Sequence, residues 1–151
     1  MATQSTTLHI RRLHTAEDNI AEELNNLMGF LTDAPRPTLN KERLERIVGS
    51  DQTALFVAER GGEIVGSLTL VHYLTPVVDK FWIEDVVCAP RVRGKGIGRA
   101  LVRHAIEFAH QINPNATIAL TSNPQRVAAR GLYRSEGFEI YETDVFTYNK
   151  Q

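Results

Sequence analysis

Apolar residues recur along this chain with two periods, and the switches between them divide it into elements. Leu8 to Leu13 alternates weakly and predicts a first strand. Thr15 is placed to cap a helix, with Asp18 at the capping-box position, and Ile20, Leu24, Leu27, Met28 and Leu31 give that helix one apolar stripe. Asp33-Ala34-Pro35-Arg36-Pro37 ends it in a loop, and Asn40 caps a short second helix with Leu44, Ile47 and Val48 facing inward. Strands over Ala54 to Glu59 and Glu63 to Leu74 flank Gly61-Gly62, a strong hairpin signal. Thr75-Pro76 turns the chain into a strand over Val77 to Cys88. Ile97, Leu101, Ala105 and Phe108 mark a third helix, which Asn113-Pro114-Asn115 breaks before a strand over Ala116 to Thr121. Asn123-Pro124 opens a fourth helix, Gly137 closes it, and two strands follow over Phe138 to Glu142 and Asp144 to Tyr148. The order β-α-α-β-β-β-α-β-α-β-β predicts an α/β fold of the α+β type, a mixed sheet with helices on both faces.

Composition narrows the function classes. A chain of 151 residues with 42% hydrophobic and 23% charged residues is expected to form one globular domain, residues 1–151. A net charge of −1 argues against a general nucleic-acid binder. A single cysteine, Cys88, excludes an internal disulfide and fits a reducing compartment. The stretch Met1 to Thr7 is polar and lacks the apolar core of a secretory signal. No apolar run approaches the roughly 20 residues of a membrane span. The expected location is therefore cytoplasmic.

The chemistry concentrates in Arg91-Val92-Arg93-Gly94-Lys95-Gly96-Ile97-Gly98-Arg99, between a strand and a helix. Glycines let backbone approach a ligand closely, and the first helical turn presents N–H groups and positive dipole. That makes a nest for phosphate, ringed by Arg91, Arg93, Lys95 and Arg99. A P-loop would need Ser or Thr after Gly-Lys, but Lys95 is followed by Gly96. A dinucleotide fingerprint would need glycine at 99 or 101, where Arg99 and Leu101 stand. Both nucleotide readings fail on spacing.

What fits is Arg93-Gly94-Lys95-Gly96-Ile97-Gly98, which matches every position of Arg/Gln-x-x-Gly-x-Gly/Ala and so resembles the cofactor motif of the GNAT superfamily of N-acetyltransferases. The block from Asn123 to Phe138, with Leu132-Tyr133 and Gly137-Phe138, is similar to the family's second cofactor element. Trp82-Ile83-Glu84-Asp85-Val86-Val87 looks like its usual lead-in. The resemblance implies a mainly antiparallel sheet of six to seven strands. It implies acetyl-CoA as acyl donor, with pyrophosphate on the loop amides of Gly94, Lys95, Gly96, Ile97 and Gly98. It also implies that the strand ending at Cys88 splays from its neighbour, so that Val86, Val87 and Cys88 offer backbone groups to the pantetheine arm. A backbone N–H there would stabilise the oxyanion.

The resemblance places Tyr133 near the CoA sulfur as general acid; the alternative is a tyrosine packed on the helix's inner face. For the base, strand alternation lets one of Glu84 and Asp85 face the cleft unless a bulge intervenes. Glu84 is the first candidate, on the side of Trp82 and Val86, with Asp85 or ordered water as substitutes. Cys88 is either an acetyl-accepting nucleophile or, more commonly for a lone strand cysteine, a small buried hydrophobe. Arg99 and Arg103 reach the cofactor's 3′-phosphate or form a solvated cationic face, and Arg126 carries the same ambiguity. Asn123 caps its helix, to which the resemblance adds a hydrogen bond to pantetheine. His9, His14, His72, His104 and His110 show no metal spacing, and no metal site is expected.

The expected function is acetyl transfer from acetyl-CoA to a primary amine by direct attack in a ternary complex. Rivals are a non-catalytic CoA-sensing or regulatory module and an acyltransferase for longer chains. The acceptor stays open, because Asp33 suits a cationic amine and Arg36 a carboxylate or phosphate. Expected partners are this amine and, as the family permits, a second copy in a homodimer, without nucleic acid or membrane.

Overall fold

The computed structural model describes residues 7–150. Of the polar N-terminal stretch, residues 1–6 lie outside that range. The chain forms two compact units, Met1–Thr121 and Ser122–Gln151, described in turn.

The first unit is a five-stranded sheet in sequence order: β1 (His9–Arg12), β2 (Thr53–Arg60), β3 (Glu63–Leu74), β4 (Asp79–Cys88) and β5 (Ile118–Ala119). The first four strands pair antiparallel, and β5 runs parallel to β4. Arg60 pairs with Glu63, so Gly61 and Gly62 form a two-residue turn. Their φ values of 60° and 78° match the doubly left-handed turn that suits the twist of a hairpin. β2 is buried at five consecutive positions from Ala54 to Ala58, so both faces of the sheet are covered.

Helix α3 (Ile97–Ile112) covers one face, where Phe56 meets the rings of His104 and Phe108 edge-on at 4.9 and 5.3 Å. Its close approach depends on Gly66 of β3. A Cβ at Gly66 would stand 3.1 Å from Ile97 Cγ2 and from Leu101 Cδ1. Helices α1 (Ile20–Met28) and α2 (Lys41–Val48) pack on β2 and β3 through Ile20, Leu24, Leu27 and Leu44. Asn40 caps α2 by accepting the Arg43 N–H at 2.8 Å, as its position predicts. Helix α1 starts later than its pattern suggests: Asn19, with φ 68°, is the cap, rather than Thr15.

The second unit holds α4 (Val127–Ser135) and the segment after it. The expected strands over 138–142 and 144–148 are not formed, so the sheet has five strands rather than six or seven. A two-residue apolar period suits a pleated surface only when one face is buried. Ile140, Tyr141, Val145, Phe146 and Tyr148 are all exposed, so no face here meets that condition.

Candidate active site

The glycine loop is assembled by short-range contacts. After β4, the Ala89 N–H bonds Val65 O at 2.9 Å, and Pro90–Val92 make one tight turn. Arg93 N–H returns to Pro90 O and Lys95 N–H to Val92 O, both at 3.3 Å. Gly94 and Gly96 each take φ 79°, a conformation that side-chain-bearing residues rarely adopt. No heavy atom lies within 4 Å of where a Cβ on either would stand, so that backbone faces open space. Gly96 is the N-cap of α3 and no side chain caps the helix. The N–H groups of Ile97 and Gly98 therefore lack intrahelical acceptors at the positive end of the dipole. Open space and free helix N–H groups are what an anion-binding loop requires.

The ring of cations is smaller than the sequence suggests. Arg91 is turned away onto Glu63, with Nη2 at 2.6 Å from its carboxylate. Arg93 and Lys95 are exposed, and Arg99 is half-buried on the first turn of α3.

Strand β4 is open along one edge. β5 pairs with it only at Phe81 and Trp82, so beyond Trp82 that edge has no ladder partner among the described residues. The other edge stays on β3, where Val87 faces Ser67 and Cys88 faces Gly66. Between them lies a bulge. Thr69 pairs with Glu84 and Ser67 with Val87, so Asp85 and Val86 together oppose Leu68. Asp85 makes the bulge with φ 51°. The extra residue resets the alternation, so Val87 rather than Val86 rejoins the face carrying Trp82 and Glu84. That correction escapes strand periodicity, because a bulge is defined by its partner strand.

Glu84 and Asp85 are both exposed. Partial burial, and then the charge of Asp85, push the Glu84 carboxyl above the usual glutamate range. A raised carboxyl is a stronger proton acceptor once ionised. Burial likewise pushes the Cys88 thiol up, and the Arg93 charge only partly offsets it. The thiolate that a nucleophile requires is disfavoured there.

In the second unit, Asn123 Oδ1 accepts the Gln125 N–H at 2.9 Å, closing a turn. Helix α4 begins only at Val127, with Arg126 as its N-cap, so Asn123 caps that turn rather than the helix. Arg126 is exposed. Tyr133, on α4, is buried at 8% exposure. The helix ends in a six-to-one closure: Phe138 N–H bonds Tyr133 O at 3.0 Å, and Gly137 N–H bonds Arg134 O at 3.1 Å. Gly137 supplies the required positive φ of 96°. Phe138 then packs edge-on against the Tyr133 ring, centroids 6.0 Å apart. The Gly137-Phe138 pair in the motif thus has a physical job, fixing the tyrosine ring from below.

Two further residues gain roles that the sequence hides. Arg36 is held in the loop after α1, its Nη1 and Nη2 donating to the side-chain and backbone oxygens of Asn25 at 2.8 Å. Gly66 admits the side chains of Ile97 and Leu101 close to β3 at the start of α3; a glycine inside a strand pattern is the signal that marks it. Among the described residues no group of three or more His, Cys, Asp or Glu is arranged to hold a metal, and no helix is long and apolar enough to cross a membrane.

Comparison with known proteins places this geometry. The Acetyltransferase (GNAT) family matches residues 11–138. Mycothiol acetyltransferase of Streptomyces bingchenggensis is 31% identical over 141 residues, covering 90% of this chain and 44% of that protein. This chain thus spans less than half of that relative's length. A transcriptional regulator from Bacillus halodurans C-125 shares 27% identity at TM-score 0.75, over 95% of this chain and all of that one (100%). AAC(6')-Iy, solved with a CoA-S-monomethyl-acetylneamine bisubstrate analogue, superposes at TM-score 0.75 with 18% identity, over 96% and 99% of the two chains. At that identity the last likeness concerns the fold alone. With a family match across the glycine loop, the bulged strand and the Asn123–Phe138 block, this chain belongs to the acetyltransferase (GNAT) family.

Proposed function

We propose that residues 1–151 act as one N-acetyltransferase domain that transfers acetyl from acetyl-CoA to a primary amine, by direct attack in a ternary complex. The observation that carries this reading is the open cradle of Gly94 and Gly96 at the start of α3, following a strand whose edge beyond Trp82 has no ladder partner among the described residues. Gly94, Lys95, Gly96, Ile97 and Gly98 hold the pyrophosphate, with Arg93, Lys95 and Arg99 as its countercharges. Val86, Val87 and Cys88 offer backbone groups to the pantetheine arm, and Asn123 and Arg126 add polar contacts. When bound, acetyl-CoA supplies an acyl group activated as a thioester.

The chain's residues then manage protons. Glu84, directly or through one water, takes the proton that the acceptor's ammonium must lose before its lone pair can attack. A backbone N–H at the end of β4 donates to the carbonyl oxygen as negative charge develops. Tyr133 gives its phenolic proton to the departing sulfur, and the proton shed by the attacking nitrogen as the amide forms restores the phenol. Direct attack is favoured over an acetyl-cysteine route because burial raises the Cys88 thiol. With Arg36 committed to Asn25, the charge left in the loop after α1 is Asp33, which favours an uncharged or cationic acceptor over an anionic one.

A second reading, a CoA-responsive regulatory module, is favoured by the likeness to the Bacillus halodurans transcriptional regulator. The domain is proposed to work in the cytoplasm, as a monomer or homodimer. Isothermal titration with CoA tests the donor: saturable binding is expected, and none at high micromolar CoA would overturn it. Tyr133→Phe should lower kcat about 10²–10⁴-fold with CoA binding retained. An unchanged kcat would remove Tyr133 from the mechanism.

A further inference from the structure

The bulge of β4 contains a residue whose conformation and charge both serve its neighbour. Asp85 is one of two non-glycine residues with positive φ among those described, at 51°. Aspartate and asparagine tolerate this left-handed region better than other side-chain-bearing residues. Its consequence is local and definite. Two residues, Asp85 and Val86, oppose Leu68, the ladder slips by one, and Glu84 is the last residue before the slip. Two exposed carboxylates therefore stand next to each other where β4 leaves its regular pleat, on the stretch whose other edge is open.

The surroundings leave Asp85 as the charge that acts on Glu84. Across the ladder Glu84 faces Thr69, which carries no charge. Of the titratable residues further along β3, Tyr73 shares the face of Glu84 and pairs with Lys80, four residues before Glu84, whereas His72 is on the opposite face and pairs with Phe81. From α1, Glu22 and Glu23 are the acidic residues, and Glu23 is engaged by the Ile64 N–H at 3.2 Å. α3, with Arg99, Arg103, His104, Glu107 and His110, lies over the opposite face, the face of Phe56, Gly66 and Leu68. β5 brings Ile118 and Ala119 only. Among the described residues neither carboxylate is in a salt bridge, and partial burial, followed by the charge of Asp85, raises the Glu84 carboxyl.

We infer that Asp85 is a positioning residue for Glu84: its left-handed backbone makes the bulge that sets Glu84 at the open end of β4, and its carboxylate sets the charge beside which Glu84 takes up a proton. The inference rests on the reading of Glu84 as the base. It divides Asp85 into two separable parts. Asn at 85 keeps the backbone and removes the charge; Ala removes both.

The test is the pH profile of kcat/KM with acetyl-CoA and an accepted amine, beside thermal melts, for wild type, Asp85→Asn, Asp85→Ala and Glu84→Gln. Asp85→Asn is expected to melt with the wild type, while its acid limb moves to lower pH. Asp85→Ala is expected to melt earlier and to lose kcat. Glu84→Gln is expected to lose kcat/KM by about 10²-fold or more. An Asp85→Asn limb that stays in place while Glu84→Gln is inactive overturns the inference and leaves Glu84 as base. Wild-type melting of Asp85→Ala overturns its conformational half. A fully active Glu84→Gln overturns the base assignment and the inference with it.

Discussion

Replacing Gly66 with alanine tests how the sheet sets the cofactor loop. The added Cβ would lie 3.1 Å from Ile97 Cγ2, 3.1 Å from Leu101 Cδ1 and 3.2 Å from Val87 O. Against a carbon–carbon optimum of about 3.5–4.0 Å, the two side-chain contacts are short by roughly 0.4 Å or more. Ile97 is 2% exposed and Leu101 0%, so neither has solvent to move into. Overpacking of this kind costs about 1–3 kcal/mol, and the lower unfolded-state entropy of alanine returns about 0.4–1 kcal/mol. The net loss, up to about 2.6 kcal/mol, lowers Tm by up to about 10 °C for a chain of this size. Because Ile97 is the first residue of α3, the strain is relieved by shifting the turn that follows Gly96, so CoA affinity should fall too. Thermal melts and CoA titration on the same preparation read both effects. Wild-type Tm with wild-type CoA affinity would refute the claim that the start of α3 depends on the close approach at Gly66.

Three other changes have definite expected results. Gly131 in α4 has open space where a Cβ would stand and no positive φ, so Gly131→Ala should stabilise by about 0.5–1 kcal/mol in urea melts, whereas a loss would mean its side of the helix is covered. Cys88→Ala should keep wild-type kcat in a thiol-release assay, since burial disfavours the thiolate; abolition would revive the acetyl-cysteine route. The raised carboxyl of Glu84 means the folded protein holds that proton more tightly than the unfolded chain does. Its ionisation therefore costs stability as pH rises through the folded pKa. Glu84→Gln should match wild type below the ordinary glutamate range, gain stability relative to it as pH rises from there, and hold its full gain above the folded pKa, measured by melts across the range.

Much of the fold was legible wherever local chemistry decides structure. The start of β3 follows from the Gly61-Gly62 turn, and the start of α2 from the Asn40 cap, because each signal lies within four residues of what it controls. The glycine loop was equally readable, as Gly94 and Gly96 take left-handed conformations that glycine alone adopts readily. What failed depended on distant partners. The bulge at Asp85-Val86 exists only relative to Leu68, and the C-terminal alternation of 138–148 does not disclose whether a face is buried. Arg91 looked like a phosphate ligand until Glu63, 28 positions away, was found to hold it. Asn19 and Asn123 show a third limit: several nearby residues can start a helix, and the competing turn geometry decides.

The central claim is that the cradle of Gly94, Gly96 and α3 presents an acyl donor to an amine. Its most direct test is release of free CoA thiol from acetyl-CoA across a panel of primary amines, with the acetylated amine identified by mass spectrometry. The account predicts amine-dependent release, with uncharged or cationic acceptors preferred to anionic ones. CoA binding without thiol release from any amine, or release only from longer acyl-CoA donors, would contradict it.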